Sequence, residues 1–328
     1  MGGLRSPGRS VESCSVANPR VIPDALDPEE TLAIEQRWLP WAGILAILAG
    51  VLPLIAIALQ VITSRGIPNE VEAVKTVAQS LTVYGAGEQG AGLVGAQSQI
   101  AEHYGNNAVM IIAATALAGL SLILIGPVLF GLLRASWRRR PSFPRWFFWA
   151  PVIGGLAFGI GTTVAMTYGA IKLSDFAGLA PDLQTNWAAA DALNAPREDL
   201  GGLSILSVLG QMLVAVGIGS AALSAMNVGL LTKVMGFLGV LLAVLVVVPI
   251  FDQQGFLRAF WFIAIGVTLL GKWPGGRPAA WETGTPQPWP TRAELMEAAE
   301  RARAAQASEL DEPAPKPKAG SGGRKRRK

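Results

Sequence analysis

The sequence predicts an all-α integral membrane protein, a bundle of six transmembrane helices with a cytoplasmic tail that is partly helical and partly disordered. Hydrophobic residues make up 51% of the 328 residues, charged residues make up only 15%, and the mean hydropathy is +0.40. The apolar residues are collected into runs, several of them near the roughly 20 residues that cross a bilayer as a helix. The cations are concentrated between particular runs, which is the pattern that orients membrane proteins.

Six apolar runs are interpreted as spans. The first is too long for the hydrophobic region of a cleaved signal peptide, so we expect a signal anchor that stays in the bilayer. The sixth is the shortest. The runs divide the chain into an N-terminal tail (1–40), a transmembrane domain (41–273) and a C-terminal tail (274–328). The predicted spans are about residues 41–62, 107–133, 147–171, 203–226, 234–251 and 256–271.

The positive-inside rule predicts a multi-pass protein of the cell membrane with both termini in the cytoplasm. The segment between spans 2 and 3, RASWRRRPSFPR, is rich in arginine and includes Arg138, Arg139 and Arg140. The loops after spans 1 and 3 are acidic, so we expect them outside. Tryptophans near predicted span ends are typical of interfacial anchors; they are Trp38, Trp41, Trp137, Trp146, Trp149, Trp261 and Trp273.

The stretch GAGEQG (85–90) has the glycine spacing of a dinucleotide-binding loop. That fingerprint needs a strand before it, a helix after it and an acidic residue about 20 positions further on. Counted from Gly90, this position is Met110, inside span 2. We therefore expect no cofactor here, but a linker between two amphipathic helices, NEVEAVKTVAQSL and GAQSQIAEHYG.

No catalytic or metal-binding constellation is visible in the sequence. Cys14 and His103 are the single cysteine and histidine, so neither a disulfide, a zinc site nor a hydrolytic triad is expected. The middle of each span has no Lys, Asp, Glu or His, which argues against proton-coupled transport. Clustering of Glu102 with Asp175 or Asp182 in a pocket would favour a membrane enzyme, the third hypothesis for the function.

Small and polar residues mark predicted helix-packing faces. Gly155 and Gly159 form a GxxxG pair in span 3, and Gly217 and Ala221 repeat small residues in span 4. Such faces let helices approach closely in lipid. Gln211 shares a face with two serines, so we expect it to bond to a neighbouring helix.

The same polar stripe can alternatively line a substrate path, which would predict a polar cavity between spans 3 and 4. Pro53, Pro127 and Pro249 predict either simple kinks or the discontinuous helices of a transporter site. These features favour the alternative function, a transporter or channel-like subunit for a neutral or amphiphilic compound.

The C-terminal tail has three predicted parts. Residues 272–290 are rich in proline and glycine and predict no regular element. Residues 291–310 predict a helix, with Thr291 and Glu294 as a capping box. Residues 312–328 have a disordered composition and end in cations that anionic lipid attracts; these are Arg324, Lys325, Arg326, Arg327 and Lys328.

Three stretches resemble segments of uncharacterised polytopic bacterial membrane proteins that are grouped as a domain of unknown function. They are LFGLLRASWRRRPSFPR, AMNVGLLTKVMGFLGVLLAVLVVVP and GKWPGGRPAAWETGTPQPWP. The resemblance implies a multi-span fold in the bacterial inner membrane and no known activity, so it assigns no catalytic residue.

These observations favour a non-catalytic membrane protein that acts as a scaffold or accessory subunit. Its expected contacts are the lipid bilayer, anionic lipid at the basic tail and a protein partner. No nucleic acid is expected to bind.

Overall fold

A computed structural model describes residues 27–67, 96–248, 254–290 and 292–311, and all regular elements in these ranges are helices. The chain divides into two compact units after Gln287. The first unit contains α1 (Pro28–Ser64), α2 (Ala96–Asn106), α3 (Ala108–Arg139), a 3-10 turn (Arg145–Trp149), α4 (Ala150–Ala177), α5 (Asn186–Asp199), α6 (Gly201–Asn227), α7 (Lys233–Val247), α8 (Gln254–Leu269) and α9 (Ala280–Thr283).

Four segments are long and apolar enough to cross a membrane: α1, α3, α4 with its preceding 3-10 turn, and α6. The apolar helices α7 and α8 have 15 and 16 residues, which is fewer than the roughly 20 residues of a typical span. Helix length and composition thus support four spans among the described residues, and the count of six stays a prediction.

Helix α1 begins well before the first predicted span. Pro28 occupies its first turn together with Glu29 and Glu30, and both residue types favour a helix N-terminus. Residues 28–40, assigned from sequence to the N-terminal tail, are therefore helical, while residues 1–26 lie outside the described ranges. This extension brings Glu35 onto the bundle.

The long helices pack as antiparallel neighbours through small residues. Ser121 on α3 donates a hydrogen bond of 2.6 Å to the main-chain oxygen of Ala49 on α1. On the other side of α1, an added Cβ at Gly50 would lie 2.6 Å from the main-chain oxygen of Ala259 on α8. Helix α3 in turn packs on α4, α4 on α6, and α6 on α7. At Gly50 the approach is so close that a side chain larger than hydrogen would displace α8.

The prolines do not interrupt the described helices. Helix α1 continues past Pro40 and Pro53, and α3 continues past Pro127. Pro249 lies outside the described residues. These positions fit proline within an intact membrane-type helix better than a discontinuous helix.

Of the two helices predicted in the first loop, GAQSQIAEHYG is confirmed as α2. The other helix and the GAGEQG stretch lie outside the described residues. Helix α2 packs against α4 and α5, and Ala101, Phe176, Ala189 and Ala192 form a small buried cluster there. The segment following span 3 also contains a helix, α5, which Thr185 caps by accepting a hydrogen bond of 3.3 Å from the amide of Ala188.

The main core lies between α1, α3, α6, α7 and α8. Trp261 is fully buried there and donates a hydrogen bond of 2.9 Å to the main-chain oxygen of Met235. Its prediction as an interfacial anchor is therefore wrong, since Gly239 leaves a space on α7 that the indole fills. Trp41, Trp146 and Trp149 are 69%, 70% and 55% exposed, as interfacial residues would be.

The second unit contains α10 (Arg292–Asp311), which confirms the helix predicted in the C-terminal tail. Arg301 pairs with Glu297 one turn earlier, and both side chains are exposed. Thr291 and residues 312–328 lie outside the described ranges.

Candidate functional site

The two ends of the bundle carry opposite charge. The basic end is the end at which α1 begins and α3 ends, and the acidic end is the end at which α1 ends and α5 lies. Cations at the basic end include Arg134, Arg138, Arg139, Arg140, Arg145, Lys233, Lys272 and Arg277. Carboxylates at the acidic end are Glu102, Asp175, Asp182, Asp191, Glu198 and Asp199. Each end contains one group of residues that is a candidate functional site.

At the basic end, Arg139 and Glu35 form a buried ion pair. The Nη1 atom of Arg139 donates to Oε1 of Glu35 at 2.6 Å, and Nη2 donates to Oε2 at 2.8 Å. The two side chains are 0% and 1% exposed. This parallel, two-bond geometry is the strongest form of a carboxylate–guanidinium contact, and it joins α1 to α3.

The same guanidinium holds the segment after α8. Arg139 Nη2 also donates to the main-chain oxygen of Ala280 at 2.7 Å, and its charge lies 5.4 Å from the ring centre of Trp281. Trp281 packs edge-on against Trp38 at 6.2 Å. We call Glu35, Trp38, Arg139, Ala280 and Trp281 the ion-pair cluster.

Trp281 extends the ion-pair cluster to the turn between α6 and α7. Its Nε1 donates a hydrogen bond of 2.9 Å to the main-chain oxygen of Leu230. Nearby, the amide of Gln287 donates to the main-chain oxygen of Val228 at 3.0 Å. Gly229 has a φ of +78°, and a Cβ there would lie 2.0 Å from the main-chain oxygen of Gln287, so only glycine fits.

Residues 274–287 therefore belong to the bundle unit, whereas the sequence assigned them to the tail. The segment is irregular, as predicted, except for the single turn of α9. Proline and glycine prevent a longer helix here, but Ala280 and Trp281 are 0% and 4% exposed. Side-chain burial, which composition does not report, holds the segment in place.

The arginines assigned to the membrane surface from sequence have different environments. Arg140 is exposed, whereas Arg138 and Arg139 are each 8% exposed, and Arg139 belongs to the ion-pair cluster. Arg145 lies 4.9 Å from the ring centre of Trp137. Arg324, Lys325, Arg326, Arg327 and Lys328 lie outside the described residues.

At the acidic end, an open cleft of about 310 Å³ lies between α4 and α5. Its floor is apolar and includes Phe176 and Ala192, and its rim carries Lys172 and several carboxylates. The Tyr168 hydroxyl donates a hydrogen bond of 2.6 Å to Asp199 at an exposed position. The rim carboxylates are Asp175, Asp191, Glu198 and Asp199.

The cleft does not bring together the carboxylates named from sequence. Asp175 lines it, but Glu102 and Asp182 are not among its lining residues. Within the described ranges, no group of three or more His, Cys, Asp or Glu side chains is arranged to hold a metal ion. His103 lies on α2 with Nε2 at 2.7 Å from the main-chain oxygen of Thr63, a contact that ties α2 to the end of α1.

The residues assigned to helix packing lie at crossings between helices. A Cβ at Gly155 would lie 2.8 Å from the main-chain oxygen of Leu122, and one at Gly159 would lie 2.7 Å from that of Gly119, both on α3. A Cβ at Gly217 would lie 2.6 Å from the Cβ of Pro151 on α4.

Two further residues of that set lie on α6. Gln211 donates a hydrogen bond to the main-chain oxygen of Val246 on α7, and Ala221 is fully buried. The neighbouring face of α6 packs directly on α4, because a Cβ at Gly210 would lie 2.5 Å from the amide nitrogen of Phe158.

The ion-pair cluster was missed in the sequence because its members are far apart. Glu35 and Arg139 are separated by 104 positions. One signal was present: Glu35, Leu39, Ala42, Ala46, Ala49, Pro53 and Ala56 are buried at alternating spacings of three and four, which places Glu35 on the packing face of α1.

A comparison with family models, with curated proteins and with solved structures finds no match. The class of the protein therefore rests on its own residues: in the ranges that the structure describes, every regular element is a helix, and the long apolar helices are bounded by one basic and one acidic end.

Proposed function

We propose that the protein is a multi-pass protein of the cytoplasmic membrane, with both termini and the basic end in the cytoplasm and six spans. The observation that carries this proposal is the lateral surface of the long helices. Large apolar side chains are exposed along all four; examples are Ile44, Leu48, Leu120, Ile153, Ile160, Leu209 and Val216. A soluble protein rarely exposes apolar surface on this scale to water. The charges at the two ends also follow the positive-inside rule.

We further propose that its role is that of a non-catalytic scaffold or accessory subunit, of the polytopic bacterial type that its segments resemble. Three of its polar side chains support this role because they bond to neighbouring elements of the bundle: Ser121 to α1, Gln211 to α7, and Arg139 to α1 and to Ala280 after α8. Side chains that form such hydrogen bonds hold the helices together. The transporter alternative ranks second, since α4 and α6 pack directly where it expects a polar cavity.

Membrane insertion is tested by extraction. The full chain should stay in the membrane pellet after alkaline carbonate treatment and dissolve only in detergent. Release by carbonate would contradict the proposal.

The scaffold role is tested by chemical cross-linking in native membranes, purification and mass spectrometry, with two truncations that the structure separates. A chain ending at 287 retains the ion-pair cluster, whereas one ending at 273 loses Ala280 and Trp281. We expect a recurrent, stoichiometric protein partner on the full chain, lost or weakened in the chain ending at 287 if the tail carries the contact.

The chain ending at 273 is the control for folding, because this deletion removes the tail and also disrupts the bundle. A full chain that purifies without any stoichiometric protein but with one small molecule would contradict the scaffold role and favour the transporter. Retention of the partner by both truncations would place the contact on the membrane domain.

A further inference from the structure

We propose that Arg134 and Arg138 form a binding site for the phosphate group of an anionic phospholipid at the basic end. The proposal rests on the membrane insertion proposed above and names a lipid partner for α3, separate from the basic C-terminus. Arg138 occupies the last turn of α3, and Arg134 lies one turn earlier.

Arg138 is a buried cation without a hydrogen-bond partner for one of its nitrogens. The residue is 8% exposed, and its Nη1 atom is buried with no partner in the described part of the chain. A buried guanidinium costs free energy unless an anion compensates it. The exposed Arg134 lies one turn earlier on the same helix, and we expect an external anion to approach Arg138 from that side.

Among the described residues, the carboxylates near Arg138 do not supply that anion. Glu35 is close enough to act on Arg138 electrostatically, but both of its oxygens accept hydrogen bonds from Arg139. Glu30 also acts on Arg138 from a distance, but it is exposed at the start of α1. Arg134 and Arg139 are the neighbouring cations, so the local charge is positive.

Arg134 is placed to complete a two-arginine site. Residues four apart lie on the same helix face, and Arg134 is exposed whereas Arg138 is buried. A phosphate that reaches the open edge of Arg138 can therefore also meet Arg134. Guanidinium groups match phosphate oxygens in planar, two-bond geometry, which lysine cannot reproduce.

Exposed tryptophans lie at the same end of the bundle as the two arginines. Trp41 and Trp146, exposed at the same end, are of the type that lies at the membrane interface. Basic pockets between helices on the cytoplasmic side are known features that bind anionic headgroups. The geometry thus points to a lipid phosphate rather than one in free solution.

The test uses the full chain, purified in detergent and stripped of lipid. Phosphatidylglycerol, phosphatidylcholine and inorganic phosphate are each titrated, and binding is followed by native mass spectrometry and by the shift in Tm. We expect phosphatidylglycerol to bind and to raise Tm, and the other two probes to have little effect. Arg138→Gln should weaken phosphatidylglycerol binding about tenfold, the loss of one charge-assisted contact, and Arg134→Gln somewhat less.

Arg140→Gln is the matched control, because Arg140 is exposed beyond the pair, and its lipid binding should equal that of the wild type. Arg138→Lys retains the charge without the planar geometry and should bind at an intermediate level. If Arg138→Gln fails to fold, the exposed Arg134→Gln must still lose affinity.

Equal phosphatidylglycerol binding by the wild type and Arg134→Gln or Arg138→Gln would overturn the site. An equal Tm shift from inorganic phosphate would overturn the lipid assignment. Carbonate extraction of the same variants keeps the two proposals apart, since loss of lipid binding leaves the protein in the membrane pellet.

Discussion

The basic and acidic ends of the bundle hold their charges in different ways. At the basic end, Arg139 is fully buried and bonds to Glu35 on α1 and to Ala280 in the segment after α8. At the acidic end, the contact between Tyr168 and Asp199 is exposed. A charge that joins three elements contributes to the fold, whereas a solvated carboxylate contributes mainly to the electric field of the surface. Charge patterning in the sequence predicts an orientation for both ends but does not distinguish these roles.

The largest expected effect is that of breaking the ion-pair cluster. Arg139→Gln leaves the Glu35 carboxylate buried without its partner, so we expect the free energy of unfolding to fall by about 3–5 kcal/mol. Denaturation in mild detergent measures it. Arg140→Gln, the exposed neighbour, should change the value by no more than about 0.5 kcal/mol.

A double variant sharpens that comparison. Glu35→Gln with Arg139→Gln removes both charges, so its cost should be smaller than the sum of the two single variants. Additive costs would show that the two residues are not coupled, and the contrast between the ends would then fail.

An intermediate effect is expected at the crossing of α3 and α4. Gly159→Ala places a methyl group 2.7 Å from the main-chain oxygen of Gly119, and overpacking of this kind costs about 1–3 kcal/mol. The matched variant is Gly202→Ala, where no atom lies within 4 Å of the added group. Thermal unfolding of both should separate them, and equal Tm values would contradict the close packing.

The smallest effect is expected at the acidic end. Asp199→Asn removes one rim charge and weakens the exposed contact with Tyr168, so the free energy of unfolding should change by no more than about 0.5 kcal/mol. The same denaturation assay measures it. A loss as large as that of Arg139→Gln would mean that the acidic end is also a structural cluster.

Elements with a strong local pattern could be predicted from the sequence. The first four apolar runs largely coincide with the long helices, although α1 and α3 extend beyond their runs, and periodicity and polar content predicted α2 and α10. Contacts between distant segments could not be predicted in this way. Trp281 lies among prolines and glycines, which predict no regular element, yet its indole bonds to Leu230 and packs on Trp38.

The same difference between local patterns and contacts of distant segments applies to the candidate site. The sequence predicted that arginines gather at one end and that Gln211 bonds to a neighbouring helix, and Gln211 donates to Val246 of α7. It did not separate the exposed Arg140 from the buried Arg138 and Arg139, because the separation depends on where α3 ends: Arg139 is its last residue, and Arg140 follows in extended backbone. Only the packing of α1 along α3 decides which arginine is covered.

The most direct test of the account is the side of the membrane on which each end lies. In a Cys14→Ser background, a single cysteine is placed at an exposed position of each end, by Arg140→Cys or by Asp182→Cys. Right-side-out membrane vesicles are treated with a membrane-impermeant maleimide, before and after permeabilisation. We predict that Asp182→Cys is labelled in sealed vesicles and that Arg140→Cys is labelled only after permeabilisation. Labelling of both in sealed vesicles, or the reverse pattern, would contradict the account.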